Sequence, residues 1–200
     1  ERIASLAPDA VIDLICFTLP GAQQMVNALR GKIAHFLHCG TLWSHGHSTT
    51  VPASESQARA PFGAYGIQKN AIENTLLDEA RRGNFPATVL MPGHIVGPGW
   101  IPVNPQGNFN LKVFETLARG DTLALPNLGL ETVHHVHADD VAQAFMGALE
   151  HWSASVGENF HTVSAQALTL RGYAEAVAGW FGQPARLEFL PWNGWRATVS

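Results

Sequence analysis

Ala10-Val11-Ile12-Asp13-Leu14-Ile15-Cys16 is a short, nearly continuous apolar run, and the fold class turns on it and on the alternation it begins. Such a run reads as a strand covered on both faces, the pattern of a parallel sheet flanked by helices. A helix is expected over residues 21–30, then a second run, Ile33-Ala34-His35-Phe36-Leu37-His38-Cys39. A loop rich in Ser, Thr, His, Gly and Pro spans residues 40–63. A long helix is expected over 64–82 and a strand over 86–91. Strands alternating with helices of this length mean α/β with a mainly parallel sheet.

The pattern loosens beyond Met91. Residues 92–107, rich in Gly, Pro and Asn, read as loop. Helices are expected over 109–119, 139–151 and 170–181, and strands over 133–136, 159–163 and 186–190. We place a boundary near Pro92, between a core of residues 1–92 and a smaller C-terminal α/β lobe of residues 93–200. A strand and helix within 133–163 return to the core. Trp152, Trp180, Trp192 and Trp195, with Phe181 and Phe189, are expected to pack the lobe.

Composition narrows the function. A net charge of -4 over 200 residues argues against a general DNA or RNA binder, which needs a basic face. No apolar run approaches a bilayer span, and no secretion signal opens the sequence. Two cysteines, Cys16 and Cys39, cannot build a disulfide framework, so a reducing cytoplasm is the expected location. They read as small buried residues at the ends of adjacent strands. His134-His135-Val136-His137 with Asp139 and Asp140 is the densest cluster of metal-ligating types. A strand leading into a helix capped by an aspartate explains it better, and no metal site is expected.

The sharpest chemical feature is Tyr65-Gly66-Ile67-Gln68-Lys69, in a chain with two tyrosines and three lysines. On a helix these two side chains share a face one turn apart. An ammonium beside a phenol favours the phenolate and is expected to lower its pKa, making Tyr65 an acid/base at neutral pH. Thr41 directly follows one strand and Pro92 to Ile95 leave the next. In open α/β sheets ligands sit at the carboxyl ends of strands, where these groups converge.

With these pieces in order, the chain resembles the extended short-chain dehydrogenase/reductase family, of the NAD-dependent epimerase/dehydratase type. The resemblance rests on the strand ending at Cys16, Cys39-Gly40-Thr41, Tyr65-x-x-x-Lys69, Met91-Pro92-Gly93-His94-Ile95-Val96-Gly97-Pro98-Gly99 and His135-Val136-His137-Ala138-Asp139-Asp140-Val141-Ala142. It implies a Rossmann-like doubly wound sheet, incomplete here, with a C-terminal substrate lobe. It also implies roles. Thr41, Tyr65 and Lys69 form a catalytic triad. Leu14, Ile15, Cys16, Tyr65, Lys69, Pro92 and Ile95 contact NAD or NADP. Ser44, His94 and Asn110 are candidate substrate contacts, with Asn108 expected to cap a helix. The implied activity is oxidoreduction, epimerisation or dehydration of a sugar-nucleotide-like or other carbonyl or hydroxyl substrate. The alternative is a non-catalytic NAD(P)-binding or RNA-associated member. A homodimer through the Tyr/Lys helix is implied, with Ile72, Leu76 and Leu77 meeting Met25 or Leu29.

The departures from the family pattern are specific. Cys39 and Gly40 stand where serines are usual, His45-Gly46 replaces a Tyr-Gly pair, and Met91 replaces an arginine. Val133 and His134 stand where sugar-nucleotide members carry an arginine. No Gly-x-x-Gly-x-x-Gly loop is present, so the sequence is expected to start just before the family's fourth strand. The strand at 10–16 is then expected to expose an apolar edge.

Overall fold

The computed structural model describes residues 2–48 and 50–199. In chain order the elements begin with α1 (Arg2–Ser5), β1 (Ala10–Asp13), α2 (Leu19–Leu29), β2 (His35–Cys39) and a 3-10 turn at Leu42–His45. Next come α3 (Gly63–Arg81), β3 (Ala87–Pro92), β4 (His94–Val96), α4 (Lys112–Arg119), β5 (Thr122–Pro126), β6 (Thr132–Val133) and β7 (His135–His137). The chain continues through α5 (Ala138–Glu150), α6 (Trp152–Ser155), β8 (Asn159–Thr162), β9 (Leu168–Thr169), α7 (Leu170–Trp180), β10 (Arg186–Leu190) and α8 (Trp192–Arg196). It divides into two compact units. One holds 1–93 and 139–163, the other 94–138 and 164–200.

The first unit is built on a parallel sheet in the order β1-β2-β3-β8. β2 and β3 are buried along nearly their whole length, as their apolar sequences demand. Thr18 caps α2 by accepting from Gly21 N at 3.3 Å, and Pro20 sits in its first turn. The face of α3 carrying Ile72, Leu76, Leu77 and Ala80 packs with Ala22, Val26 and Leu29 of α2 onto Phe36, Ala87, Val89 and Met91. Phe36 and Phe85 rings meet at 5.2 Å. Each large apolar side chain buried here contributes about 1.5–3 kcal/mol.

The second unit has three small pairings: β4 with β7 and β5 with β10, both parallel, and β6 with β9, antiparallel. Its core joins Val113 and Leu117 of α4, Leu123 and Leu125 of β5, and Leu170, Tyr173, Ala174 and Val177 of α7.

Several expectations need correction. The first strand stops at Asp13, because the Asp13 carboxylate accepts from Ile15 N and Cys16 N and turns the chain. It lies at the sheet edge, as expected, but it is not covered on both faces: Ile12 is 45% exposed. Residues 92–107 are not all loop, since 94–96 form β4. The strand β5 was not anticipated, the 133–136 strand is two short ones, and the helix expected at 109 starts at Lys112. Trp152 lies in the first unit and donates to Ala34 O at 2.7 Å. Trp180, Phe181 and Trp192 are exposed, and of these tryptophans only Trp195 is buried. Ile72, Leu76, Leu77 and Leu29 are consumed by the chain's own core, so they present no face to a second copy.

Candidate active site

The carboxyl ends of β1 and β2 and the start of α3 bring Thr41, Tyr65 and Lys69 into one region of the first unit. Thr41 opens the 3-10 turn, its hydroxyl accepting from Trp43 N at 3.2 Å. The backbone one step earlier explains why Thr41, rather than a residue at 40, presents the hydroxyl. A Cβ on Gly40 would lie 2.7 Å from Val89 Cγ1 and 3.2 Å from Leu90 O, so no serine fits there without moving β3.

The Thr41 side chain lies close enough to the Tyr65 phenol to bear on its pKa. Tyr65 is half exposed and Thr41 is buried. Burial raises the Tyr65 pKa above its ordinary value, the nearby Thr41 side chain opposes this, and Cys39 adds to the rise. This corrects the expectation that Lys69 depresses it. The ammonium makes its contacts elsewhere, so the phenol keeps its proton at neutral pH.

Lys69 is 2% exposed. Its Nζ donates to Cys39 O at 2.7 Å and Cys16 O at 2.9 Å, lies 3.4 Å from His38 Nε2, and sits 4.9 Å from the centre of the Phe17 ring. Burial pushes its pKa down, while Cys39, Asp13 and Cys16 hold it up. Behind the ammonium, fully buried His38 places Nδ1 2.9 Å from Asp13 Oδ2. Burial pushes His38 down, keeping it neutral. Burial pushes Asp13 up, but His38 and the Ile15 and Cys16 N–H groups together leave it below the usual carboxylate range.

Sequence reasoning missed Asp13 and His38. The sequence signal was limited to a polar residue inside each apolar run; it is the β1/β2 register that pairs the two directly.

Leu14 and Ile15 are exposed beyond β1, Cys16 is half-buried, and Pro92 is buried at the end of β3. Ser44 is fully buried. Its hydroxyl donates to Thr41 O at 2.8 Å, so it braces the turn rather than facing a substrate. His94, Ile95 and Asn110 belong to the second unit. His94 N donates to His134 O at 2.8 Å, and Ile95 pairs with Val136. Asn110 is exposed and accepts from Lys112 N at 3.1 Å at the head of α4. Neither asparagine caps α4, whose N-cap is Leu111 with no side-chain capping bond; Asn108 accepts instead from Asn110 N and Asn104 Nδ2.

A second polar cluster occupies the same unit. Glu73, one turn beyond Lys69, accepts from Arg59 at 2.5 Å and from Asn159 at 2.6 Å, leaving its Oε2 unpartnered. Arg59 also reaches His45, whose Nε2 lies 2.7 Å from His161 Nε2. His45 is pushed down to about 4, first by burial, then by the charges of Arg59 and His161. An open groove of ≈ 590 Å³ beside this cluster is lined by Glu55, Arg59, Glu73, Arg81 and Glu158. None of Thr41, Tyr65 and Lys69 lines it, so it is not the site of the Tyr/Lys chemistry.

The chain is 28% identical over 182 residues to a 2'-dehydrokanamycin reductase of Streptomyces kanamyceticus, covering 91% of this chain and 51% of the relative. It is 26% identical over 188 residues to a UDP-glucose 4-epimerase of Mycolicibacterium smegmatis, covering 92% and 56%. The chain thus spans about half the length of these curated relatives. Its fold is that of a Bacillus cereus UDP-glucuronic acid 4-epimerase solved with UDP-glucuronic acid and NAD. The TM-score is 0.69 at 20% identity, over 86% of this chain and 53% of that one. The model of the NAD dependent epimerase/dehydratase family matches residues 10–161, which carry β1 through β8 and the Tyr65/Lys69 helix, and the chain belongs to that family.

Proposed function

We propose that this chain carries the proton-transfer end of an NAD(P)-dependent oxidoreductase, epimerase or dehydratase. Its substrate is a sugar-nucleotide-like or other carbonyl or hydroxyl compound. The observation that carries the reading is the convergence of Thr41, at the end of β2, and Tyr65, at the head of α3, one helical turn from a buried ammonium. The residues suit the nicotinamide-riboside end of a dinucleotide. Leu14, Ile15 and Phe17 are exposed and apolar, and the Phe17 ring lies against Lys69 Nζ and 6.3 Å from the Tyr65 ring. Leu14, Ile15, Cys16 and Pro92 would take the nicotinamide riboside, and Lys69 the ribose hydroxyls in exchange for one of its present acceptors. When bound, the nicotinamide gives hydride to a substrate carbon or takes it.

The protein's part is geometry and protons. Thr41 hydrogen-bonds the reacting oxygen and Tyr65 moves a proton to or from it. The raised Tyr65 pKa keeps the phenol protonated, which favours donation to a carbonyl oxygen, the reductive direction. Ile95, and His94 and Asn110 as substrate contacts, are assigned through the family resemblance. A cytoplasmic location agrees with the free thiols of Cys16 and Cys39. Among the described residues no helix is long and apolar enough to cross a membrane. A homodimer through α3 would use its outward residues, among them Ile67, which is 51% exposed.

The test is Tyr65→Phe in the purified protein, with nicotinamide absorbance as readout on a panel of UDP-sugars and keto-sugars. Turnover is expected to fall by about 10²–10⁴, the usual worth of a general acid/base, with cofactor fluorescence titration unchanged. Undiminished turnover overturns the assignment.

A further inference from the structure

We infer that Asp13 and His38 are a positioning pair for Lys69: they fix which nitrogen of the imidazole faces the ammonium and so hold the lysine in place. The meaning for catalysis rests on the function proposed above; the pairing itself rests on geometry.

An ionised carboxylate can only accept, and Asp13 Oδ2 lies 2.9 Å from His38 Nδ1, so the imidazole proton sits on Nδ1. The other nitrogen, Nε2, then presents a lone pair, and it is this nitrogen that lies 3.4 Å from Lys69 Nζ. The remaining two N–H groups of the ammonium go to Cys39 O and Cys16 O. All three donors are directed at acceptors on two strand ends. Asp13 serves both sides of this arrangement. Oδ1 fastens Ile15 N and Cys16 N, which sets the carbonyl of Cys16 before the lysine, and Oδ2 orients the histidine.

The titratable and charged groups around Lys69 are Asp13 at the end of β1 and Cys16 after it, His38 and Cys39 on β2, and Tyr65 and Glu73 on α3 itself. Among these Asp13 is the carboxylate whose charge reaches Lys69, and it does so across His38. Removing that charge therefore lowers the lysine pKa further. Burial has already pushed His38 down, so it stays neutral and relays orientation rather than charge.

The experiment is nitrogen-15 NMR of the histidine rings and lysine ammonium in the purified protein. Wild type is expected to show His38 protonated on Nδ1 with Nε2 bare at neutral pH. In Asp13→Asn the single side-chain oxygen stays with Ile15 N and Cys16 N, and the amide NH₂ turns to the imidazole. The ring proton then moves to Nε2 and points at the ammonium. The Lys69 titration midpoint is expected to fall by about one pH unit, the size of effect an opposite charge exerts at this range. His38→Gln, which leaves the Asp13 charge in place and can still offer an oxygen to Lys69, should keep both the lysine's position and its midpoint.

A wild-type His38 protonated on Nε2 overturns the inference without any variant. So does an Asp13→Asn protein that folds and shows an unmoved Lys69 midpoint. A merely structural role would lower the melting temperature and leave tautomer and midpoint alone. These readouts do not involve turnover, so they stand or fall apart from Tyr65→Phe.

Discussion

Lys69 and Glu73 lie one turn apart on the same helix and are equally buried, yet the protein treats their charges in opposite ways. Glu73 is answered by a full ion pair with Arg59, supported by Asn159. Lys69 is answered by two backbone carbonyls and a neutral imidazole, with the nearest carboxylate one residue further back. A direct ion pair fixes a charge and takes it out of chemistry. Dispersed neutral acceptors hold a charge while leaving it able to exchange partners. The difference separates the lower part of α3, which anchors the loop at 46–62, from its upper part, which faces the end of the sheet where Thr41 and Tyr65 meet.

That contrast can be broken from either side. The largest effect on stability is expected from Glu73→Leu, which leaves the mostly buried Arg59 guanidinium beside His45 with no anion. Chemical denaturation should show a loss of about 3–4 kcal/mol. Acidification should act on the same cluster. His45 has a folded-state pKa of about 4 against an unfolded value near 6.5, so the unfolded chain binds more protons between these limits. Stability is then fully present above pH 6.5 and lost as pH falls towards 4, by about 2–3 kcal/mol. Denaturation midpoints at pH 7 and pH 4.5 measure this, and His45→Asn should lack that share of the drop. The smallest effect is expected from Lys69→Met, which removes a costly buried charge with little change in volume. It also leaves Cys16 O and Cys39 O without their donor, so stability should fall by about 1–2 kcal/mol while turnover is lost. A Lys69→Met protein as unstable as Glu73→Leu would erase the distinction.

Much of this was legible in the residue order. Apolar runs at 10–16 and 33–39, a helix bearing Tyr65 and Lys69, and a strand before Pro92 are enough to read a parallel α/β sheet, because strand and helix periodicity is a local property. Contacts set by distant residues were less accessible. The strand at 10–16 ends early because Asp13 turns back on Ile15 and Cys16. The short strand Thr122–Pro126 exists because Arg186–Leu190 lies beside it, and nothing in its own composition announces that. Pairing Tyr65 with Lys69 on one helical face was sound geometry, but the ammonium's destination depends on two carbonyls from other strands. Asp13 and His38 drew no notice because each alone looks like an ordinary interruption of a strand. Only the register between strands makes them neighbours.

The loop that Arg59 anchors is also drawn shut at its base. Gly46 and Ala60 form an isolated parallel bridge, with Ala60 N donating to His45 O at 2.9 Å. Gly46 adopts φ 71°, and a Cβ there would fall 1.8 Å from Ala60 O, so only glycine lets the two strands of the noose touch. Once its neck is tied, the noose can change length at small cost, since doubling a closed loop adds only about 0.6 kcal/mol of entropy. Insertions and epitope tags therefore belong inside it, where they leave the knot, and the threonine just ahead of it, undisturbed.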